Sequence, residues 1–193
     1  LSPGQARKLR STHYSFSFVR NPFDRLVAAY NNKVIEIEDP PLPMQRMGIS
    51  HGMSFEDFID VLCKSPPESF DVHLMPQSEI LCAGEHLVPK FVGRMEQMND
   101  HWKILRRRLK RDGIKIAKEL PEKNVRRGGA RSSLRPYFNS THLIDSFLTI
   151  YGRDLELFYS KQGIDQLIDN ETLHSQRPMR GLKADDDTSA EQS

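Results

Sequence analysis

The sequence predicts an α/β fold in which a parallel sheet is flanked by helices. Segments typical of short strands, at residues 14–19 and 91–93, are each followed by a segment whose apolar residues have helical spacing. Strands that alternate with helices are typical of parallel sheets, because each crossover helix covers a face of the sheet. Such sheets bind ligands beyond the carboxyl ends of their strands. The chain has 193 residues, which is enough for one domain with a sizeable core.

The first strand leads directly into a helix whose start is well marked. Residues 14–19 alternate aromatic and small side chains. Asn21 predicts the N-cap, Pro22 suits the first helical position, and Asp24 complements the positive end of the helix dipole. Arg20 therefore lies at the mouth of a helix N-terminus. We expect its guanidinium and free backbone N–H groups to bind a doubly charged oxyanion such as a phosphate.

The remaining elements follow from weaker signals. The first helix is predicted to reach about residue 35, and the proline-containing stretch 37–52 is predicted to be a loop. Ser54 predicts the start of a further helix, and Thr141 predicts the N-cap of the last one. We expect a domain over residues 1–173 and a disordered tail over 174–193, because the tail has almost no apolar residues.

Positive charge is concentrated in residues 103–135. This stretch has 13 basic and 3 acidic residues, a net charge of +10, whereas the whole chain sums to +2. Its first part predicts an amphipathic helix that ends at Gly113, and the basic face of that helix is either solvated or a binding surface. The second part, VRRGGARSSLRP (125–136), predicts a loop that is either ordered by an anion or exposed and mobile.

The stretch VRNPFDRLVAAY, at residues 19–30, resembles a motif of PAPS-dependent sulfotransferases of family 2, the membrane-associated carbohydrate type. In that family the pattern V-R-[DN]-P-[FY]-[DE]-R-[LIF]-V-S-A-[YF] holds the 3′-phosphate of the cofactor 3′-phosphoadenosine 5′-phosphosulfate (PAPS). The match fails only at Ala28, where the family usually has a serine whose hydroxyl touches the phosphate. The resemblance implies that Arg20 and Asn21 bind the cofactor, and that at Ala28 the family's contact is either lost or replaced by one from a backbone group.

Further segments resemble landmarks of the same family in the family's order. They are SFEDFIDVLCK (54–64), DVHLMPQ (71–77), FVGRMEQMNDHW (91–102), ELPEKN (119–124) and IYGRDLELFYSK (150–161). Several landmarks in the right order are more specific than any one of them. The resemblance implies a sulfotransferase-like fold with a P-loop-like parallel sheet. It also implies transfer of a sulfuryl group from PAPS to a hydroxyl of a carbohydrate acceptor.

The family's other cofactor element, a lysine-bearing phosphosulfate loop, lies upstream of the arginine motif. Residues 1–13 have no sequence that resembles this loop. We therefore expect the chain to be an N-terminally incomplete part of a longer protein. Membrane association would then come only from a segment that precedes it, and both the cytoplasm and the Golgi lumen stay open as locations.

His73 is the candidate catalytic base, because it lies in the DVHLMPQ segment beside Asp71. The alternative is a structural histidine next to the acceptor cleft. In the family the segment corresponding to 125–136 folds over the cofactor and faces a sulfated or acidic sugar. The resemblance thus makes Arg131, Ser132 and Arg135 candidates for cofactor or acceptor contacts. The sequence has no cluster of metal ligands, so no metal is expected.

Other charged residues near these motifs are predicted to have structural roles. We expect Arg25 to brace the phosphate site through Asp24 or a backbone carbonyl, and Arg94 and Glu96 to form a buried structural pair.

Two other functions stay open for the whole protein. One is an inactive sulfotransferase relic, which the departure at Ala28 favours. The other is a basic module that binds nucleic acid or another polyanion. That module is disfavoured because aromatic residues for base stacking are not interleaved with the basic ones.

Overall fold

The computed structural model describes residues 2–118, 133–170 and 179–180. Strand β1 (Phe16–Val19) pairs in parallel with β4 (Phe91–Arg94), in a register that places Val19 opposite Arg94. β5 (Met179–Arg180) adds to the other edge of β4 in the antiparallel direction. The predicted parallel pairing is confirmed within a mixed sheet. The short strand β5 lies in the segment for which the sequence predicted no structure.

The helix that follows β1 begins as the sequence predicts. Asn21 caps α2 (Pro22–Tyr30), since its side-chain oxygen accepts the N–H of Phe23 at 3.1 Å. The helix continues as a π-helical turn over Asn31–Ile35, so the expected end near residue 35 is confirmed. Apolar residues of α2 turn inward, and the helix packs on the core through Phe23, Leu26, Val27 and Tyr30.

Two short helices lie where the sequence analysis assigned none. Before β1, α1 (Pro3–Thr12) is capped by the hydroxyl of Ser2. Within the predicted loop 37–52, α3 (Leu42–Arg46) is followed by Gly48, whose φ of +91° suits the turn after a helix. The loop prediction was therefore wrong for this turn of chain, because a proline in the first turn is compatible with a helix.

Helices α4 (Phe55–Lys64) and α7 (Thr141–Tyr159) pack against each other. Ser54 caps α4 as predicted, and its hydroxyl accepts the N–H of Asp57 at 3.1 Å. The cap of α7 is Ser140 rather than Thr141. Ser140 has an extended backbone and its hydroxyl accepts the N–H of Leu143 at 3.3 Å, so Thr141 is already the first helical residue.

The chain between α4 and β4 is made of short elements. They are a 3₁₀ turn (Pro67–Ser69), α5 (Gln77–Leu81), and the hairpin strands β2 (Cys82–Ala83) and β3 (His86–Leu87). After β4, a 3₁₀ turn (Met95–Gln97) leads into the basic helix α6 (Met98–Arg111), and Gly113 with a φ of +77° ends it as predicted. The last described helix is α8 (Ile164–Ile168).

The two faces of the sheet are covered by different cores. On one face, Val19 and Val92 join a large core in which the ring of Phe23 stacks on that of Phe147 at 3.9 Å. On the other face, Phe91 packs with Leu105 and Leu109 of α6. Helices therefore cover both faces of the β1–β4 pair, as the predicted α/β class requires. In the described parts of the chain, no helix is both long and apolar enough to span a bilayer.

Candidate functional site

Arg20 lies between the end of β1 and the start of α2, at the strand-to-helix junction that the sequence predicted. Its Nε donates to Oδ2 of Asp24 at 2.7 Å, and its side chain is 35% exposed. Its two terminal nitrogens have no hydrogen-bond partner among the described residues. Asp24 therefore fixes the direction of the guanidinium while the paired N–H donors that suit a bidentate oxyanion remain available.

The backbone N–H groups at this junction are already bound to side chains. The N–H of Arg20 donates to Oε1 of Gln77 at 2.9 Å, and the N–H of Asn21 donates to Oε1 of Glu96 at 2.7 Å. The N–H of Phe23 donates to its own cap, Asn21. For these three groups the expectation of free N–H donors facing an anion was wrong, because side chains from α5, from the turn after β4 and from the cap itself reach them first. The terminal nitrogens of Arg20 are donors that stay available at the junction.

Asn21 is 2% exposed and its side chain has structural partners. Besides capping α2, its Nδ2 donates to the carbonyl of Leu167 in α8 at 2.7 Å. The amide therefore joins α2 to α8. Direct contact of Asn21 with a cofactor stays a prediction.

Ala28 lies on the same side of α2 as Asp24, because residues four apart share a helix face. Arg20 lies just before α2 and is bonded to Asp24, so Arg20, Asp24 and Ala28 form a row of side chains spaced four residues apart. The methyl group of Ala28 is half-buried and offers no hydrogen bond. Contact of position 28 with a cofactor stays a prediction.

His73 lies in a turn of the chain before α5, which we call the His73 turn (residues 71–76). The carboxylate of Asp71 accepts the backbone N–H of His73 at 2.9 Å and lies 2.5 Å from its Nδ1. When Nδ1 carries the proton for this hydrogen bond, Nε2 is the nitrogen left to accept one. The imidazole is 49% exposed, so this nitrogen is accessible to a substrate.

Arg25 anchors the backbone of the His73 turn. Its two terminal nitrogens donate to the carbonyls of Met75 at 2.7 Å and of Val72 at 2.9 Å. Burial lowers the pKa of the Arg25 guanidinium from its ordinary value, while nearby Asp154 opposes that change. Arg25 bonds backbone carbonyls, as expected, but they belong to the His73 turn, so Arg25 joins α2 to that turn. Bracing of a phosphate site by Arg25 stays a prediction.

Helix α7 contacts the His73 turn and the start of α5. The hydroxyl of Tyr151 donates to the carbonyl of Leu74 at 2.6 Å, and burial raises the pKa of this phenol, so it stays protonated. Asp154, fully buried, accepts the N–H groups of Gln77 at 2.8 Å and of Ser78 at 2.6 Å. The sequence analysis named no role for Tyr151, Gln77 or Asp154, although all three lie in segments that resemble the family.

Glu96 and Arg94 serve the fold at the end of β4. Glu96 accepts the N–H of Asn21 with one oxygen and the hydroxyl of Tyr159, at 3.0 Å, with the other. Arg94 is buried, donates to the carbonyl of Phe158 and lies 4.7 Å from the centre of the Tyr159 ring. Both residues have structural contacts and share Tyr159, but Glu96 is only half-buried, so the expected buried pair stays a prediction.

Arg135 is exposed and neutralised by two carboxylates of the α8 region. Its Nε and Nη2 each lie 2.9 Å from an oxygen of Asp169, and Nη2 also bonds Asp165 at 2.5 Å. The hydrogen bonds from Arg135 and Ser133 lower the pKa of the Asp169 carboxyl. A cofactor contact through Nε or Nη2 of Arg135 would have to displace these partners. Arg131 and Ser132 lie outside the described residues, so their cofactor roles stay predictions.

Fold and site together define an α/β domain that presents an arginine to an anion at a strand-to-helix junction. The model of the Sulfotransferase family matches residues 1–160 of the chain. The chain therefore belongs to the sulfotransferase family, a family of transferases that move sulfuryl groups, and the resemblance to family 2 is confirmed. No curated protein and no solved structure matches the chain significantly. In the part of the chain that the structure describes, no group of side chains is suited to hold a metal ion.

Proposed function

We propose that this protein transfers a sulfuryl group from PAPS to a hydroxyl of a carbohydrate acceptor. The observation that carries the proposal is Arg20, whose Nε is bonded to Asp24 while its two terminal nitrogens are available at the end of β1. That arrangement fits a bidentate contact with the 3′-phosphate of the donor. The proposal includes a P-loop-like arrangement of the complete sheet, which the resemblance implies.

Sulfuryl transfer, like phosphoryl transfer, needs an attacking and a leaving oxygen roughly in line and a base for the acceptor hydroxyl. PAPS supplies the sulfuryl group. We assign the base to Nε2 of His73, which takes the hydroxyl proton as the acceptor oxygen bonds to sulfur and the bond from sulfur to the 5′-phosphate oxygen breaks. Asp71, at 2.5 Å from Nδ1, holds the ring and stabilises the imidazolium that forms.

The acceptor is proposed to be a sugar chain, neutral or acidic. Exposed basic side chains on α6, including Lys103, Arg107 and Lys110, support the acidic case, because positive charge attracts an anionic chain over a distance set by salt screening. The competing explanation is that these side chains only keep the helix solvated.

Arg20→Ala tests the proposal directly. We expect the affinity of the full-length protein for the product 3′-phosphoadenosine 5′-phosphate (PAP), measured by calorimetric titration, to fall roughly ten- to a hundredfold, the worth of one charge-assisted contact. The control is Arg46→Ala, since Arg46 is an exposed arginine on α3. Unchanged affinity in Arg20→Ala would refute the phosphate site.

A transfer assay with labelled PAPS and a panel of glycans tests the reaction itself. Labelled product on a glycan supports the enzyme. Tight PAP binding with no transfer to any glycan would instead support the inactive relic, and salt-sensitive binding of unrelated polyanions without PAP binding would support the basic module.

A further inference from the structure

Two side chains link the Arg20 junction to α7 without touching the proposed ligand position. Gln77 bonds both backbone groups of Arg20: its Oε1 accepts the N–H at 2.9 Å, and its Nε2 donates to the carbonyl at 2.8 Å. This paired contact fixes the orientation of the peptide groups on either side of Arg20. It resembles the contact that a neighbouring strand would make with the end of β1.

Asp154 in turn fixes Gln77. Its carboxylate is fully buried in α7 and accepts the backbone N–H of Gln77 at 2.8 Å and that of Ser78 at 2.6 Å. Nε2 of Gln77 also donates to the same carboxylate, at 3.5 Å. A buried carboxylate that caps the first N–H groups of α5 is strongly favoured there, because those groups have no partner within the helix.

The Gln77 backbone also ends the His73 turn. Arg25 and Tyr151 hold the turn's carbonyls, and Asp154 holds the N–H of the residue that follows the turn. Besides the bonds from Arg25 of α2, the junction that carries Arg20 and the turn that carries His73 are thus joined through Gln77.

We propose that Gln77 and Asp154 are positioning residues that clamp the backbone at Arg20 and fix it relative to the His73 turn. This inference rests on the proposed function, in which Arg20 binds the cofactor and His73 is the base. The clamp would keep these two residues at a constant separation. The clamp contributes by restricting the backbone before the ligand arrives, which lowers the entropy lost on binding.

Gln77→Met removes both hydrogen bonds to Arg20 while keeping the length of the side chain. We expect PAP affinity to fall roughly three- to tenfold, in keeping with the loss of weak neutral hydrogen bonds. The matched control is Gln45→Met, because Gln45 also donates from Nε2 to a backbone carbonyl, that of Pro40, at 2.6 Å. Gln45→Met should leave PAP affinity unchanged. Equal affinity in Gln77→Met and the wild type would overturn the clamp and leave the proposed function standing.

Gln77→Glu supplies a pH readout that a merely structural role would not give. The introduced carboxylate would face the carboxylate of Asp154 and the carbonyl of Arg20, with the positive charges of Arg20 and Arg25 also close. When protonated, its hydroxyl can donate as the amide of Gln77 does. PAP affinity relative to the wild type should therefore recover as the pH falls through the pKa of the introduced carboxyl. A constant ratio would overturn the clamp, and this series also decides the question if Gln77→Met fails to fold.

Hydrogen exchange in the ligand-free protein separates the clamp from the proposed function. The Arg20 amide should exchange slowly in the wild type and faster in Gln77→Met, with little change in the control. If the wild type binds no PAP, the proposed function is refuted. The clamp is then tested only by the rate of hydrogen exchange at the Arg20 amide. Equally fast exchange in both proteins would then overturn it.

Discussion

The β1–α2 junction and the His73 turn differ in which atoms the fold holds. At the junction, the side chain of Arg20 is itself fixed through Nε, and Gln77 holds its backbone. In the turn, Arg25 and Tyr151 hold main-chain carbonyls, whereas the imidazole is about half-exposed and bonds the carboxylate of Asp71.

This difference is what a two-substrate transferase needs. A fixed guanidinium suits a ligand whose phosphate always has the same place, and a base on an anchored turn suits a hydroxyl that arrives on a larger acceptor. The comparison predicts that changes at the junction alter cofactor affinity, while changes to the imidazole alter the rate of transfer.

The largest expected effect belongs to the turn. His73→Ala should lower turnover by about a hundredfold or more, because a positioned base is worth at least that factor, while PAP affinity stays near the wild-type value. Steady-state assays with labelled PAPS and calorimetric titration with PAP measure the two quantities.

The matched control for this change is His142→Ala. His142 is another exposed histidine beside a carboxylate, with Nε2 3.7 Å from Asp60, but it lies at the start of α7. The turnover of His142→Ala should equal that of the wild type. Full turnover in His73→Ala would remove His73 from the reaction and make the turn a structural feature.

A smaller effect is expected at the junction from Ala28→Ser. If a hydroxyl on the row from Arg20 through Asp24 reaches the phosphate, PAP affinity should improve by about 0.5 to 1.5 kcal/mol, the net value of one hydrogen bond. Ala29→Ser, one position along on another face of α2, should give no gain. A neutral result at Ala28 would show that the phosphate is already satisfied by other donors, without affecting the family assignment.

The smallest effect is expected at Arg135, which contacts carboxylates with both Nε and Nη2, whereas Arg20 uses Nε alone. Arg135→Ala should leave PAP affinity unchanged and raise the pKa of Asp169 toward its ordinary value, as measured by NMR titration. The folded-state pKa of Asp169 is lowered, so its contribution to stability is present at neutral pH and is lost as the pH falls through that value. Weakened PAP binding in Arg135→Ala would show that the ligand displaces the carboxylates.

Local patterns predicted several helix ends well. The cap at Asn21, the cap at Ser54 and the stop at Gly113 all depend on residues within a few positions, so propensity and turn chemistry identify them. The one-residue error at Thr141 arose because Ser140 and Thr141 are both good caps. Only the backbone conformation distinguishes them.

Contacts between distant segments could not be predicted in this way. The hydrogen bonds between Gln77 and Arg20 join residues 57 positions apart. The N–H of Gln77 donates to Asp154, which is 77 positions away. Gln77 and Asp154 are isolated polar residues that belong to no repeating sequence pattern, so the sequence does not reveal that they are partners. The sequence analysis therefore left the backbone N–H groups of the junction free, whereas the fold had occupied them.

By itself, the sequence determined the strand-to-helix junction, the placement of Arg20 at its mouth and the sulfotransferase family, because these depend on adjacent residues and on a motif. Only the tertiary structure decided which nitrogens of each arginine remain available. Arg20 and Arg135 are the same residue type with carboxylates nearby, yet Arg20 is bonded through Nε alone, whereas Arg135 is bonded through both Nε and the terminal nitrogen Nη2. Hydrogen bonding is directional and depends on where distant chains come together, and no local pattern contains that information.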